Sequence, residues 1–413
     1  VSDHYIPRLA DELINDLLTE FPALLLVGPR ASGKTTTAAR HAHSVIRLDQ
    51  PREAAVVEAD PDAALRARAE PVLIDEWQLV PSVLGAVKRA VDAVPRPGRF
   101  IVTGSVRGRL DSPTWPGTGR LIQVDMGSLT RREIIGDDLR RPPFLLRIAS
   151  DGAAGLRVPA EPPDLRDYLE LALQGGFPDV IGRTDRGRLL WLMSYLDQLF
   201  TRDVDQLDGR RDPGRLRRFF AAYAVNTAGV VPLTTLHESA QIDRKTAEAY
   251  EGLLRDLFVV DTVPAWSTNR LKRLARAPKR YVADPGLVAG ALQLTMDALL
   301  RDGDLVGRLL DTFVLAQLRG ERQLGFPQPR LYHLRDQNGD HEVDLIAELD
   351  AHRLVAIEVK ATAAPRLDSA RHLIWLRDQL GERFVAGVVL HTGPRVFPLG
   401  DRIITAPVAT LWS

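Results

Sequence analysis

The chain has 413 residues, 45% apolar and 26% charged, with zero formal net charge and no cysteine. That length exceeds one ordinary hydrophobic core and predicts two or three domains; the missing cysteine excludes disulfides and thiolate metal sites and suits a reducing compartment; overall neutrality leaves nucleic acid unannounced by whole-chain charge. No apolar run approaches the ~18 residues of a membrane span, and the start, Val1-Ser2-Asp3-His4-Tyr5, lacks a basic-then-apolar leader pattern, so a cytoplasmic protein with no membrane partner is expected.

The basic residues are almost all arginine. Only six lysines occur: Lys34, Lys88, Lys245, Lys272, Lys279 and Lys360. A chain with this preference keeps lysine mainly where a compact point charge matters, and Lys34 and Lys360 fall in chemically suggestive motifs.

The first element is an apolar run, Leu24-Leu25-Leu26-Val27, followed by Gly28-Pro29-Arg30-Ala31-Ser32-Gly33-Lys34-Thr35 and the helix-prone Thr36-Thr37-Ala38-Ala39-Arg40. This strand, glycine loop and helix fit G-x-x-x-x-G-K-[ST], in which backbone N–H groups and the helix N-terminus bind phosphates. Gly28 to Thr36 are expected to line a bound ATP. Lys34 would reach the β/γ-phosphates, and Thr35 would ligate Mg²⁺. His41 and His43 lie two apart, not four, and are read as surface or packing residues.

Pro71-Val72-Leu73-Ile74-Asp75-Glu76 reads as a second buried strand ending in two acids. Asp75 is expected to hold Mg²⁺ through water and Glu76 to polarise the attacking water. A third strand, Arg99 to Ser105, would aim Thr103 or Ser105 at the γ-phosphate or that water. Arg107, Arg109 and Arg120 follow. Each is either a solvated surface residue or an arginine that neutralises transition-state charge, in cis or from another subunit, and Arg120 in Gly117-Thr118-Gly119-Arg120 is the first choice.

This stretch resembles the AAA-type ATPase core of a widespread bacterial and archaeal family that joins the core to a C-terminal domain of unknown function. The matching residues extend to Arg47-Leu48-Asp49-Gln50-Pro51, Leu73-Ile74-Asp75-Glu76-Trp77-Gln78, Val102-Thr103-Gly104-Ser105, and Gly119-Arg120 followed by Leu129-Thr130-Arg131-Arg132-Glu133-Ile134. The resemblance covers essentially the whole chain and implies ATP hydrolysis.

Pro142-Pro143 and the prolines from Pro159 to Pro163 mark a boundary. Gly175-Gly176-Phe177-Pro178 and a long amphipathic helix, Leu189 to Val204, come next, read as packing and as a link to nucleotide state. Residues 232–258 then read as two helices around the turn Gln241-Ile242-Asp243, with Asp243 capping the second. Phe258-Val259-Val260 and Thr262-Val263 would begin a wing. Residues 210–280 hold 14 Lys/Arg against 7 Asp/Glu, and Arg270, Lys272, Arg273, Arg276, Lys279 and Arg280 cluster at the end. Two readings stand: a basic winged helix on DNA, or a rigid protein-contact module with the cluster on a solvated face.

In the last third, His341 to Ala347 and Leu354 to Lys360 alternate as two half-buried strands, joined by the turn Asp350-Ala351-His352-Arg353. Residues two apart share a face, so Glu358 and Lys360 point the same way and a hairpin brings Asp344 beside Glu358. Asp344 and Glu358 would bind Mg²⁺ at a scissile phosphate, and Lys360 would activate water or stabilise charge; the alternative is a cross-strand ion pair. The pattern is similar to the PD-(D/E)XK restriction-endonuclease-like family, with Glu358-Val359-Lys360 as its E-x-K. That resemblance implies a further Glu on a preceding helix, and here Asp311, in Leu309-Leu310-Asp311-Thr312-Phe313-Val314, takes its place as a third metal contact.

The expected fold class is α/β: an AAA-type P-loop core over 1–145, a helical and winged-helix region over 146–290, and a nuclease-like α/β domain over 291–413. The expected cofactors are ATP and Mg²⁺. DNA and a protein partner both stay open for the C-terminal half, and an arginine acting in trans would require a homo-oligomer.

Overall fold

The computed structural model describes residues 5–66, 68–107, 118–203, 212–269, 273, 276–336 and 340–413. The chain divides into two compact units. One comprises Val1–Leu129 with Phe177–Asp179 and Asp256–Phe258, the other Thr130–Gly176, Val180–Arg255 and Val259–Ser413.

In the first unit five parallel strands, β1 (Ala23–Val27), β2 (Ser44–Arg47), β3 (Val72–Asp75), β4 (Phe100–Gly104) and β5 (Leu121–Asp125), lie in the order β2-β3-β4-β1-β5. Every residue of β1, β3 and β4 is buried, as a parallel sheet covered on both faces demands. Successive side chains feed opposite layers. Leu25, Val27, Ile74 and Val102 pack with Val83, Val87 and Val91 of the helix Val83–Ala93. Leu24, Leu26, Leu73 and Ile101 pack with Ile14 and Ala38 from the helices Ala10–Glu20 and Lys34–Arg40. Because β4 lies between β1 and β3, its C-terminal end separates the glycine loop from the two acids.

The second unit opens with Thr130 capping the helix Arg131–Ile135: the Thr130 side chain accepts from Glu133 N, and the Glu133 side chain accepts from Thr130 N. Its middle holds the helices Pro213–Val225, Leu233–Ser239 and Arg244–Asp256. Asp243 caps the last of these as expected, its Oδ1 accepting from Thr246 N at 2.9 Å. The wing differs from the reading. Val260–Val263 is one strand, β6, and it pairs antiparallel with the distant β7, Lys279–Val282.

Six further strands form the C-terminal sheet: β8 (Arg330–Arg335), β9 (Glu342–Glu348), β10 (Leu354–Lys360), β11 (Phe384–His391), β12 (Phe397–Gly400) and β13 (Ile403–Pro407), in the order β12-β13-β11-β10-β9-β8. Strands β8 to β10 run antiparallel and β11 runs parallel to β10. The helix Gly303–Glu321 packs on β10, and the helix Arg371–Leu380 packs on β9, β10 and β11. The hairpin turn is where the sequence places it, with Asp350 Oδ1 accepting from His352 N and Arg353 N at 2.8 and 2.9 Å.

The helix Phe144–Asp151 spans the position of the expected boundary at 145, and Pro285–Leu292 that of the one at 290. The middle region and the C-terminal sheet share one unit because the chain after β6 packs onto that sheet. Trp266 lies in the sheet's core, its indole N–H donates to Glu348 Oε1 at 2.8 Å, and Arg273 binds both Glu348 oxygens at 2.9 and 2.7 Å.

Candidate functional site

Buried β1 ends at Gly28, where a Cβ would lie 1.8 Å from Met126 O; no side chain fits there, so the loop can leave the strand against the end of β5. Ala31 and Gly33 take positive φ, 58° and 91°, and turn the loop into the helix starting at Lys34. Thr36 is exposed in the first turn of that helix. The loop thus presents the N-terminal end of a helix at the C-terminal edge of the sheet, the place where parallel α/β sheets take ligands.

Lys34 is 4% exposed and donates to Pro29 O at 2.7 Å. Burial lowers its ammonium to about 8, against the opposing pull of Glu76 and Asp75. Asp75 Oδ1 accepts from the hydroxyls of both Thr35 (2.7 Å) and Thr103 (2.5 Å). Glu76 is left-handed (φ 57°), its N–H donates to Thr103 Oγ1 at 3.3 Å, and Oε2 accepts from Ser105 Oγ at 3.0 Å and from Gln78 Nε2. Arg30 Nε reaches Ser105 Oγ at 3.4 Å. The loop, both acids and the hydroxyls of β4 therefore meet in one constellation, and Thr103 and Ser105 address the acids directly.

The neighbouring Thr35 hydroxyl and Asp75 carboxylate are a hard-oxygen donor pair that fits Mg²⁺. When bound, the ion would neutralise phosphate charge.

Arg120 is not part of this constellation. It precedes Leu121, which pairs with Ala23 at the start of β1, whereas Asp125 pairs with Val27 beside the loop. In a parallel sheet that separates Arg120 from the ligand edge by roughly 15 Å of strand. Its guanidinium binds Asp92 Oδ1 at 2.9 Å and Thr118 O at 3.1 Å. In this structure Arg120 thus lies at the opposite end of β5 from the loop. Arg107 packs over the Phe258 ring at 4.9 Å, and Arg109 lies outside the described residues. The residue that sequence reasoning missed is Arg8. Its guanidinium is buried and donates to Ser32 O at 2.7 Å and Gly127 O at 2.9 Å, tying the loop to the chain after β5.

The second cluster lies in the C-terminal sheet. The β9–β10 ladder ends at the pair Leu345–Ile357. The next residue back, Asp344, takes over with its side chain, Oδ2 accepting from Val359 N at 3.0 Å. Glu358 is 2% exposed and accepts from Lys360 Nζ at 2.7 Å. Asp311, on the helix Gly303–Glu321, is also buried. So the structure brings Asp311, Asp344, Glu358 and Lys360 together, and adds an unforeseen residue. Lys279, from β7, donates to Asp311 Oδ2 at 2.5 Å and Asp344 Oδ1 at 3.0 Å.

Burial would raise Asp344, but Lys279 and Lys360 outweigh it and bring the carboxyl down to about 2. Burial pushes Asp311 up to about 6 despite Lys279, and pushes Glu358 well above the usual carboxylate range, helped by Asp344. Among the described residues, no group of three or more His, Asp or Glu is placed to hold a metal ion. At the expected three-carboxylate Mg²⁺ site the structure places the Lys279 ammonium.

The expected basic face is also revised. Arg273 is spent on Glu348, Lys279 on the carboxylates, Arg280 on Glu251 Oε1 at 2.8 Å, and Arg276 on Arg335 O at 3.1 Å. Arg270 and Lys272 lie outside the described residues.

The fold and first site define a parallel α/β core with a glycine loop at the C-terminal edge of its sheet. Residues 20–135 match a family model described as an AAA domain. Residues 165–298 and 306–411 match models described as domains of unknown function, DUF8612 and DUF4143. The uncharacterized proteins Mb2031c of Mycobacterium bovis and Rv2008c of Mycobacterium tuberculosis are each 28% identical over 397 residues, 94% of this chain and 80% of theirs. Among solved structures, the Walker-type ATPase PABY2304 of Pyrococcus abyssi is similar with a TM-score of 0.44 and 15% identity, covering 69% of this chain and 94% of that one. No helix among the described residues is long and apolar enough to cross a membrane.

One consequence of the Lys34 environment is measurable. With its ammonium near 8 in the nucleotide-free chain, a phosphate beside it raises that value again. ATP binding is then expected to take up protons above pH ~8, with affinity falling as pH rises, and to take up none well below it. Titration calorimetry in buffers of different ionisation enthalpy reads the proton count directly.

Proposed function

We propose that the chain binds ATP with Mg²⁺ and hydrolyses it, and that its nucleotide state controls a nucleic-acid-binding, nuclease-like module in the C-terminal half. The convergence of Lys34, Thr35, Asp75 and Glu76 at one sheet edge carries the first part. Lys34 neutralises phosphate oxygens, Thr35 and Asp75 would hold the ion, and Glu76 accepts a proton from water while Ser105 and Gln78 orient its carboxylate. The order of a helix, three antiparallel strands, a second helix and a parallel strand, with acids on β9, β10 and the first helix, supports the restriction-endonuclease-like reading. The basic excess over residues 210–280 supports nucleic acid as its partner through those of its Lys and Arg other than the internally engaged Arg273, Arg276, Lys279 and Arg280.

A second reading, a regulatory ATPase acting on a protein partner, is favoured by the inward engagement of Arg273, Lys279 and Arg280. The deciding experiment is Mg²⁺-dependent ATP turnover with and without DNA and RNA. Turnover that responds to nucleic acid is expected. Turnover indifferent to every nucleic acid would transfer the reading to a protein partner, and absence of turnover would remove both.

A further inference from the structure

We infer that Lys279 is the resident cation of the C-terminal carboxylate cluster, standing where a divalent metal would have to bind, so that this cluster is held closed by an ammonium and is not a metal-dependent cleavage centre. The inference is independent of the ATPase reading.

The oxygens argue it one by one. Asp311 Oδ2 and Asp344 Oδ1 both accept from Lys279 Nζ, at 2.5 and 3.0 Å. Asp311 Oδ1 accepts from the Tyr281 hydroxyl at 3.2 Å, and Asp344 Oδ2 from Val359 N at 3.0 Å. Glu358 Oε2 accepts from Lys360 at 2.7 Å. Glu358 Oε1 has no hydrogen-bond partner. An ion bridging Asp311 and Asp344 at the ~2.1 Å that Mg²⁺ requires would have to sit where Nζ sits.

Lys279 cannot readily leave. It is 2% exposed and its backbone is fixed by pairing of β7 with Val263 of β6, so swinging away would strand a buried charge. Charge balance agrees: two ammoniums already face the three carboxyl groups, and a divalent ion beside them would meet like charge on both sides.

Lys279 also makes sense of the sequence. In a chain with six lysines, an ammonium is the compact point charge that fits between two carboxylates where a planar guanidinium does not.

The test uses the full chain without nucleotide and Mn²⁺ as the probe, with free Mn²⁺ read by electron paramagnetic resonance and the unfolding midpoint read in parallel. Wild type and Asp344→Asn are expected to give superimposable Mn²⁺ titrations. Lys279→Ala is expected to gain one Mn²⁺ per chain and a midpoint that rises on adding Mn²⁺, both abolished in Lys279→Ala/Asp344→Asn. A wild-type site that Asp344→Asn removes would overturn the inference, as would a folded Lys279→Ala that gains no Mn²⁺. Should Lys279→Ala fail to fold, the wild-type comparison with Asp344→Asn still decides, and Mn²⁺-dependent DNA cleavage lost in Asp344→Asn would count as the overturning result.

Discussion

Replacing Glu76 by Gln is expected to lower ATP turnover by roughly 10²- to 10⁴-fold, the range lost with a general base, while nucleotide affinity stays within about 3-fold of wild type, under 1 kcal/mol. Glutamine keeps the size of the side chain and its contacts with Ser105 and Gln78 but cannot accept a proton. The separation follows from geometry. Glu76 stands at the end of β3 across β4 from the loop, so on the proposed reading it faces the attacking side, whereas phosphate binding would rest on the loop and Lys34. Lys34→Ala is expected to fail earlier, at binding, because it removes a buried charge aimed at the phosphates. A fluorescent ATP analogue separates the two: Glu76→Gln should bind it and Lys34→Ala should not. Glu76→Gln turnover close to wild type would displace Glu76 as the base, and the neighbouring Asp75, already engaged by two hydroxyls, would not be an easy substitute.

What the sequence made legible is what short-range patterns encode. The glycine loop is flanked by the run that becomes β1 and by the helix it initiates, and Asp75-Glu76 close an unbroken apolar strand. The β9–β10 hairpin is written in alternation plus a turn, so the pairing of Asp344 with Glu358 follows from period-two geometry. Long-range partners were not legible. Arg120 looked well placed because it follows Gly117-Thr118-Gly119, but which end of the sheet it occupies depends on the polarity of β5, which no local pattern states. Arg8 and Lys279 act across 24 and 32 residues of chain, respectively. Counting charge over residues 210–280 gave the sign of the segment but not its direction, and Arg273, Lys279 and Arg280 spend theirs inside the unit. The one available hint was scarcity: Lys279 is one of only six lysines in the chain.

The segment Leu129-Thr130-Arg131-Arg132-Glu133-Ile134 tests the remaining ambiguity, since its resemblance attached it to the ATPase core while its bonds belong to the second unit. Arg132 is 1% exposed and binds Glu321 Oε1 at 2.6 Å and Asp138 O at 2.9 Å. The other Glu321 oxygen accepts from Phe144 N at 2.7 Å, and Gln317 Oε1 accepts from Arg131 N at 2.7 Å. The helix Gly303–Glu321 is thus stitched to both ends of residues 131–144 through one carboxylate. Glu321→Ala leaves a buried guanidinium and a buried amide without that partner, and is expected to cost about 3–5 kcal/mol of stability in this unit. Replacing the whole pair, Arg132→Met with Glu321→Leu, is expected to recover the part of that loss due to the unpaired guanidinium, because two apolar side chains need no counter-charge, while the Phe144 N–H stays without its acceptor. Urea-dependent hydrogen exchange of the Leu309–Leu318 amides follows this unit without assuming that the chain unfolds in one step. The second readout is ATP affinity, which Glu321→Ala is expected to leave unchanged where the chain remains folded. A stability loss below about 1 kcal/mol would rank the pair with solvent-screened surface bridges. A loss of ATP affinity in the folded variant would return the segment to nucleotide chemistry.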